Sequence, residues 1–359
     1  MSPISLQTPH SGYHWDGSSR RFFEGWYFRV TLPECGQSFA FMYSIDDPAG
    51  GMPQSGGAAQ ILGPDESYFC RTFSNVKGFW AWRDRIGLGH CRKSSKKPGY
   101  LSPEQFHETV SEGYQVTATT HQGQLRDPAG ETVTWHYETQ PLYGWGSPHK
   151  PQLSTAGWLS HLKIFEPGWQ VLMAHGLATG WIEWRGQRYV FQKAPAYAEK
   201  NWGGAFPTKW FWLQCNAFER EPDLSVTAAG GIRQVLTRQE DVALIGIHHQ
   251  GAFYKFLSSE SFLSWKVEPW WQWRLTAETD RYRVELLGKA KDEGGWVRVP
   301  TREGLQFHCR DTTHGYLYLQ LWEKAWQRSA SKTPMLEAVS SLAGLEVGGQ
   351  PWDNAWSRP

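Results

Sequence analysis

Apolar and polar residues alternate with period two along most of this chain. Residues 39–45 (FAFMYSI) run into the turn Asp46–Asp47–Pro48 and predict a buried strand. In residues 113–120, Tyr114, Val116 and Ala118 fall on one face and Gln115, Thr117 and Thr119 on the other, which predicts a half-buried strand. Residues 132–139 set Val133, Trp135 and Tyr137 against Thr134, His136 and Glu138 in the same way. The pattern returns at 211–218, 226–235, 271–277, 282–288 and 316–322, with turn signals such as Asp127–Pro128–Ala129–Gly130 and Glu166–Pro167–Gly168 between strands. Two segments read as helix. One is 103–110. The other is 335–343, where Thr333–Pro334 would open a helix and Gly344 close it.

Many short strands with regular turns predict an all-β protein built of sandwiches or closed barrels. A division near Lys193–Ala194–Pro195 gives parts 1–195 and 196–359, the second with a short C-terminal helix. Each part opens on a dense aromatic motif: Phe22–Phe23–Glu24–Gly25–Trp26–Tyr27–Phe28–Arg29 in the first, Asn201–Trp202–Gly203–Gly204 and Trp210–Phe211–Trp212–Leu213–Gln214 in the second. This similarity suggests a structural duplication.

Composition narrows the function. The 359 residues include 22 tryptophans, and 15% are aromatic. With 40% hydrophobic and 20% charged residues the chain is too apolar for disorder, and a formal net charge of +1 lacks the basic excess of a nucleic-acid binder. The five cysteines form no CxxC pair, so reduced thiols are expected rather than a disulfide framework or structural zinc. No stretch approaches the roughly 18 apolar residues of a membrane span. Residues 1–9 lack the basic and apolar regions of a secretory signal and the arginines of a transit peptide. A soluble or peripheral bacterial protein is expected, cytoplasmic or at an inner or thylakoid membrane. The basic run 92–97 reads as a solvated loop or as a contact with anionic lipid head groups.

The familiar chemical signatures are missing. His248 and His249 would face opposite ways on a strand, and no HExxH or facial-triad spacing occurs. No GxGxxG follows a strand, and neither a P-loop nor a GxSxG elbow is present. Carboxylates amid aromatics remain: Asp16, Glu24, Asp46, Asp47 and Glu199. A carboxyl buried against apolar walls has a raised pKa and can donate a proton near neutrality, while ring faces attract cations. That combination suits protonation of an alkene. The plainer reading has Glu24 and Asp16 holding Arg20, Arg21 or Arg29, and Asp46–Asp47 forming a turn.

Two stretches reach beyond composition. One runs Thr8–Pro9–His10–Ser11–Gly12–Tyr13–His14–Trp15–Asp16–Gly17 and on through Val30. The other runs Ala198–Glu199–Lys200–Asn201–Trp202–Gly203–Gly204 and on through Asn216. With residues 75–91, they resemble the tocopherol cyclase family over nearly the whole chain, on its cyanobacterial branch. The resemblance implies closure of the vitamin E chromanol ring from a prenylated benzoquinol, with no redox change, no cofactor and no metal. It also implies contact with a membrane or lipid-droplet surface and no nucleic-acid partner. The family is distantly similar to carotenoid 1,2-hydratases, which are similar to tandem lipocalin-like barrels. Against the hydratases' His-Asn-Trp-Gly-like run, this chain has Lys200 in place of the histidine, and no acid occurs in residues 227–230 where theirs would fall.

The resulting candidates are Glu24, Asp46, Lys200 and Glu199 for catalysis. Trp26, Tyr43, Trp202, Trp212, Gln214 and Asn216 are the candidates for substrate binding. On a strand Lys200 and Trp202 share a face, Glu199 points away with Asn201, and Gln214 pairs with Asn216. A non-catalytic carrier of isoprenoid quinones and a hydratase of a different polyene are the competing functions.

Overall fold

The computed structural model describes residues 7–18, 20–92, 98–157, 165–235, 238–324 and 333–359. The basic run beyond Arg92 and residues 1–6 lie outside them. No helix among the described residues is long and apolar enough to cross a membrane.

The chain packs as two compact units. Residues up to Leu32, with Phe39–Phe206 and Val299–Gln306, form the first; Pro33–Ser38, Pro207–Arg298 and Phe307–Pro359 form the second. The strand Gln187–Gly203 runs straight through Lys193–Ala194–Pro195 and pairs within the first unit on both edges, so the change of unit comes at Phe206/Pro207, after that strand has ended.

Each unit is one antiparallel sheet curled on itself, the two-barrel lipocalin-like arrangement expected from the sequence. In the first, the strand Tyr68–Phe73 starts the path and Gly87–Cys91 stands one place from its far end. The rings of Phe73 and His90 nevertheless stack at 4.6 Å, so the sheet has bent far enough to bring its ends together. Its interior is filled by Trp26, Phe28, Phe39, Phe41, Tyr43, Trp135 and Tyr137, the alternate residues of their strands. The second sheet runs from Ala252–Leu257 to Phe262–Val267 and Trp356–Arg358, and Phe211 from mid-path packs on Trp265 at 5.8 Å. Its core takes Phe211, Leu213 and Cys215 from one strand and Leu345 and Val347 from the neighbouring one.

Sequence expectation and structure agree on the helix Pro103–Thr109, where Ser102 and Gln105 form a capping box. They part at 335–343. That segment belongs to the strand Leu336–Gly349, which pairs with Lys209–Cys215 on one side and Gly304–Glu323 on the other. The helix signals there were local, and tertiary pairing overrides local propensity. Leu336, Ala338 and Leu342 are buried while Glu337 and Ser341 are exposed, the period of a strand.

Candidate active site

In the first unit, Phe23–Leu32 pairs with Gln187–Gly203 so that Glu24 opposes Trp202 and Trp26 opposes Lys200. All four side chains share one face, the face that carries Trp26 and Phe28 into the core. Glu24 and Lys200 are wholly buried and form an ion pair. The Lys200 ammonium also donates to the Gly12 carbonyl at 2.6 Å and lies 3.1 Å from His14 Nδ1. It sits 5.5 Å from the Trp26 ring and 5.2 Å from the Trp202 ring. Glu24 Oε2 accepts the His14 backbone N–H at 2.9 Å, and the His14 ring stacks on Trp202 at 4.0 Å. A strand-borne ion pair thus clamps the segment around His14, most of whose imidazole is covered as well.

The electrostatics follow from this packing. Burial pushes the Glu24 carboxyl up, but Lys200 and the His14 hydrogen bond more than offset it and hold it below the usual range. Burial lowers Lys200, with Glu24 pulling back, and lowers His14, with Lys200 adding to the effect. Glu24 is therefore a carboxylate near neutrality and does not meet the expectation of a neutral proton donor. Asp46 is buried and bound by Arg21, whose second nitrogen also donates to the Thr301 carbonyl at 2.7 Å. Glu199 points to the opposite face from Lys200, as alternation requires, and accepts the Tyr197 hydroxyl at 2.6 Å. Tyr43 lies in the first core, stacked on Tyr114 at 4.1 Å, its hydroxyl pushed well up by burial.

The second unit gathers the remaining candidates. In Lys209–Cys215 the residues Phe211, Leu213 and Cys215 enter the core, so Trp210, Trp212 and Gln214 take the other face, and all three are buried. Asn216 is buried too but follows the end of the strand, where the alternation that placed it with Gln214 stops. On the same face Trp212 opposes Glu346 across one strand boundary, and Asp311 opposes Glu346 across the next. The Trp210 indole N–H donates to Glu346 Oε1. Burial raises the Glu346 carboxyl, and the hydrogen bonds from Trp210 and Cys309 pull it only partly back.

Residues 20–349 match the family described as tocopherol cyclase-like. The chain belongs to the tocopherol cyclase-like family. It is 45% identical over 379 residues to "Tocopherol cyclase, chloroplastic" of Zea mays, covering 98% of this chain and 80% of that one. A second relative, "Probable tocopherol cyclase, chloroplastic" of Oryza sativa subsp. japonica, has the same identity and coverage. Among solved structures, that of CghA superposes with a TM-score of 0.55 over 96% of both chains at 11% identity, a likeness of fold.

In this member of the tocopherol cyclase-like family the structure brings together Glu24, Lys200, Trp26 and Trp202, all candidates from the sequence, and adds His14, Asp311 and Glu346, which the sequence does not single out for catalysis or substrate binding. In the sequence His14 stands out only as part of the family motif. Glu346 is hidden because the helix signals over 335–343, closed by Gly344, mask the strand that carries it. The strand carrying Asp311 was recognised only from residue 316 onward, although it starts at Gly304. Period-two reading of 336–349, with Leu345 and Val347 inside, would have put Glu346 on the polar face.

Proposed function

We propose that this protein closes the chromanol ring of a phytylated benzoquinol, as a tocopherol cyclase of vitamin E biosynthesis. The near-full-length 45% identity to the Zea mays protein named for that activity carries the reading. In this reaction the side-chain double bond takes a proton, a tertiary cation forms, the phenolic oxygen attacks it, and the phenolic proton leaves. Protons and electrons balance within the substrate. The protein therefore needs a proton donor and acceptor, an apolar pose and protection of the cation from water.

The structure supports the apolar pose and the stabilisation of the cation. Trp212 offers a ring face beside the hydrogen-bonding Gln214, both removed from water. The faces of Trp26 and Trp202 already hold a buried cation, the Lys200 ammonium, at about the separation a cation–π contact uses. The Glu24–Lys200 pair fixes the segment from Gly12 to His14 against the first barrel, over two wholly buried charges. Incubation of the purified protein with phytylated dimethylbenzoquinol under reductant should yield the chromanol catalytically. Stoichiometric binding without turnover would establish a carrier instead, and a tertiary alcohol a hydratase.

A substrate with a phytyl tail resides in lipid, and the second unit has a surface suited to meet it. Trp296 and Phe307 are 53% and 46% exposed, with the Arg298 guanidinium 4.5 Å from the Phe307 ring and Arg310 5.9 Å from Trp296. Exposed aromatics beside arginines are the composition of an interfacial contact with anionic lipid. Wild-type protein should float with phosphatidylglycerol liposomes, and Trp296→Ser with Phe307→Ser should largely abolish flotation. Wild-type protein that stays wholly unbound overturns this contact.

A further inference from the structure

We propose that Glu346 and Asp311 form a proton-sharing carboxyl pair on the buried polar face of the second sheet, which protonates the prenyl double bond and then takes up the phenolic proton. This deepens the cyclase reading and rests on it.

The geometry comes from strand register. Trp212, Glu346 and Asp311 are opposed in turn across three adjacent strands, so they form one row on one face. Directly opposed residues on such strands have Cβ atoms about 4.5–5.5 Å apart, close enough for two carboxyls to share a proton. The next row on that face lies about 7 Å along the strands. It holds Gln214 facing Thr227 on one side and Gly344, which has no side chain, on the other. Thr227 is 1% exposed, and its hydroxyl finds no hydrogen-bond partner among the described residues. A buried hydroxyl left unpaired is destabilising, so a polar group that meets it has binding energy to gain. A prenylated quinol supplies that group as a ring hydroxyl, with its double bond one short link from the ring.

The step is closed. The Glu346 O–H bond breaks and its proton forms a C–H bond at the less substituted alkene carbon. The resulting tertiary cation lies against the Trp212 face. The phenolic oxygen then forms the C–O bond, and its proton passes to the Asp311 carboxylate. Transfer between the two carboxyls restores the starting state, with no other reactant. Among the titratable groups around Glu346, the Cys309 thiol hydrogen-bonds it, Asp311 stands opposite it across the strand boundary, and burial raises its carboxyl toward the protonated form.

The test compares wild type with Glu346→Gln, Glu346→Asp and Asp311→Asn. Glu346→Gln keeps the oxygen that accepts from Trp210, so it should fold and still bind the chromanol product. Its kcat should fall by about 100-fold or more with KM little changed, as expected when a general acid is removed. Glu346→Asp should recover part of that loss. The wild-type fall of kcat with rising pH should vanish in the residual activity of Glu346→Gln. Infrared difference spectra without substrate should show a protonated carboxylic acid in wild type at neutral pH that Glu346→Gln lacks. A folded Glu346→Gln with wild-type turnover overturns the proposal, and so does identity of the two infrared spectra. Wild-type protein that makes no chromanol overturns the cyclase reading and the catalytic role together, while the infrared band still reports whether the pair holds its proton.

Discussion

Glu24 and Glu346 are both carboxyls on antiparallel strands with tryptophan beside them, one in each unit, and their surroundings drive them in opposite directions. Glu24 lies against a buried ammonium and under an imidazole, and it is held ionised. Glu346 meets an indole N–H and a thiol, and burial drives it toward the neutral acid. Burial alone acts on both in the same sense. What separates them is the charge of the nearest partner. One carboxylate becomes half of a clamp, and the other can carry a proton to a substrate.

The largest expected effect tests the clamp. Lys200→Met leaves the Glu24 charge buried and uncompensated, which should cost the folded protein about 3–5 kcal/mol in urea denaturation. Replacing both members, as Glu24→Gln with Lys200→Met, should recover most of that loss, because two apolar or neutral groups need no pairing. If the single variant is as stable as wild type, the ion pair does not define Glu24 and the contrast with Glu346 fails.

A second effect, of roughly 3 kcal/mol, separates the units by pH. His90 and His121 are buried in the first unit. Burial lowers His90 to about 4, although its hydrogen bond to the Asn75 carbonyl at 2.9 Å partly opposes this, and burial lowers His121 to about 3. Both folded values lie below the unfolded value near 6.5, so the folded rings stay neutral where the unfolded chain takes up protons. The stability this contributes is fully present above 6.5 and is lost as pH falls from there toward 4. Each ring contributes about 1.4 kcal/mol per pH unit across that window. Hydrogen exchange at pH 7 and pH 5 should show protection lost first in first-unit strands such as Gly87–Cys91 and Thr120–Arg126. Equal loss in both units would argue against these histidines as its source.

The all-β class was legible because period two survives burial: each barrel strand keeps one face for the core. Position within the fold was less legible. Lys200 and Trp202 could be placed on one face from spacing, but their meeting with Glu24 depends on pairing across nearly two hundred residues. The change of unit was hidden because Gln187–Gly203 is a single long strand with a proline inside it. Pro195 lies two residues beyond Lys193, where φ is 53° and the ladder is irregular, and proline in a sheet is accommodated at such places. Glu346 was illegible for a different reason. Local helix signals outweighed alternation, and the row it forms with Trp212 and Asp311 exists only across three strands.

The smallest effect is the sharpest on the comparison, because its sign reverses between the two carboxyls. Glu24→Gln removes half of a buried ion pair and should destabilise the protein at neutral pH. Glu346→Gln removes a group whose folded pKa is raised. A raised carboxyl contributes stability below its unfolded value, near 4.5, and that contribution is lost as pH rises through the folded value. At neutral pH wild type has therefore given up part of it, whereas glutamine gives up none and still accepts from Trp210. Glu346→Gln should match wild type near pH 4 and exceed it by up to about 1 kcal/mol near pH 8, a gap that widens with pH. A catalytic acid retained against stability predicts that pairing of gain in stability with loss of turnover. Destabilisation of Glu346→Gln at every pH would instead make Glu346 a structural residue like Glu24, and the difference between the two units would lose its chemical meaning.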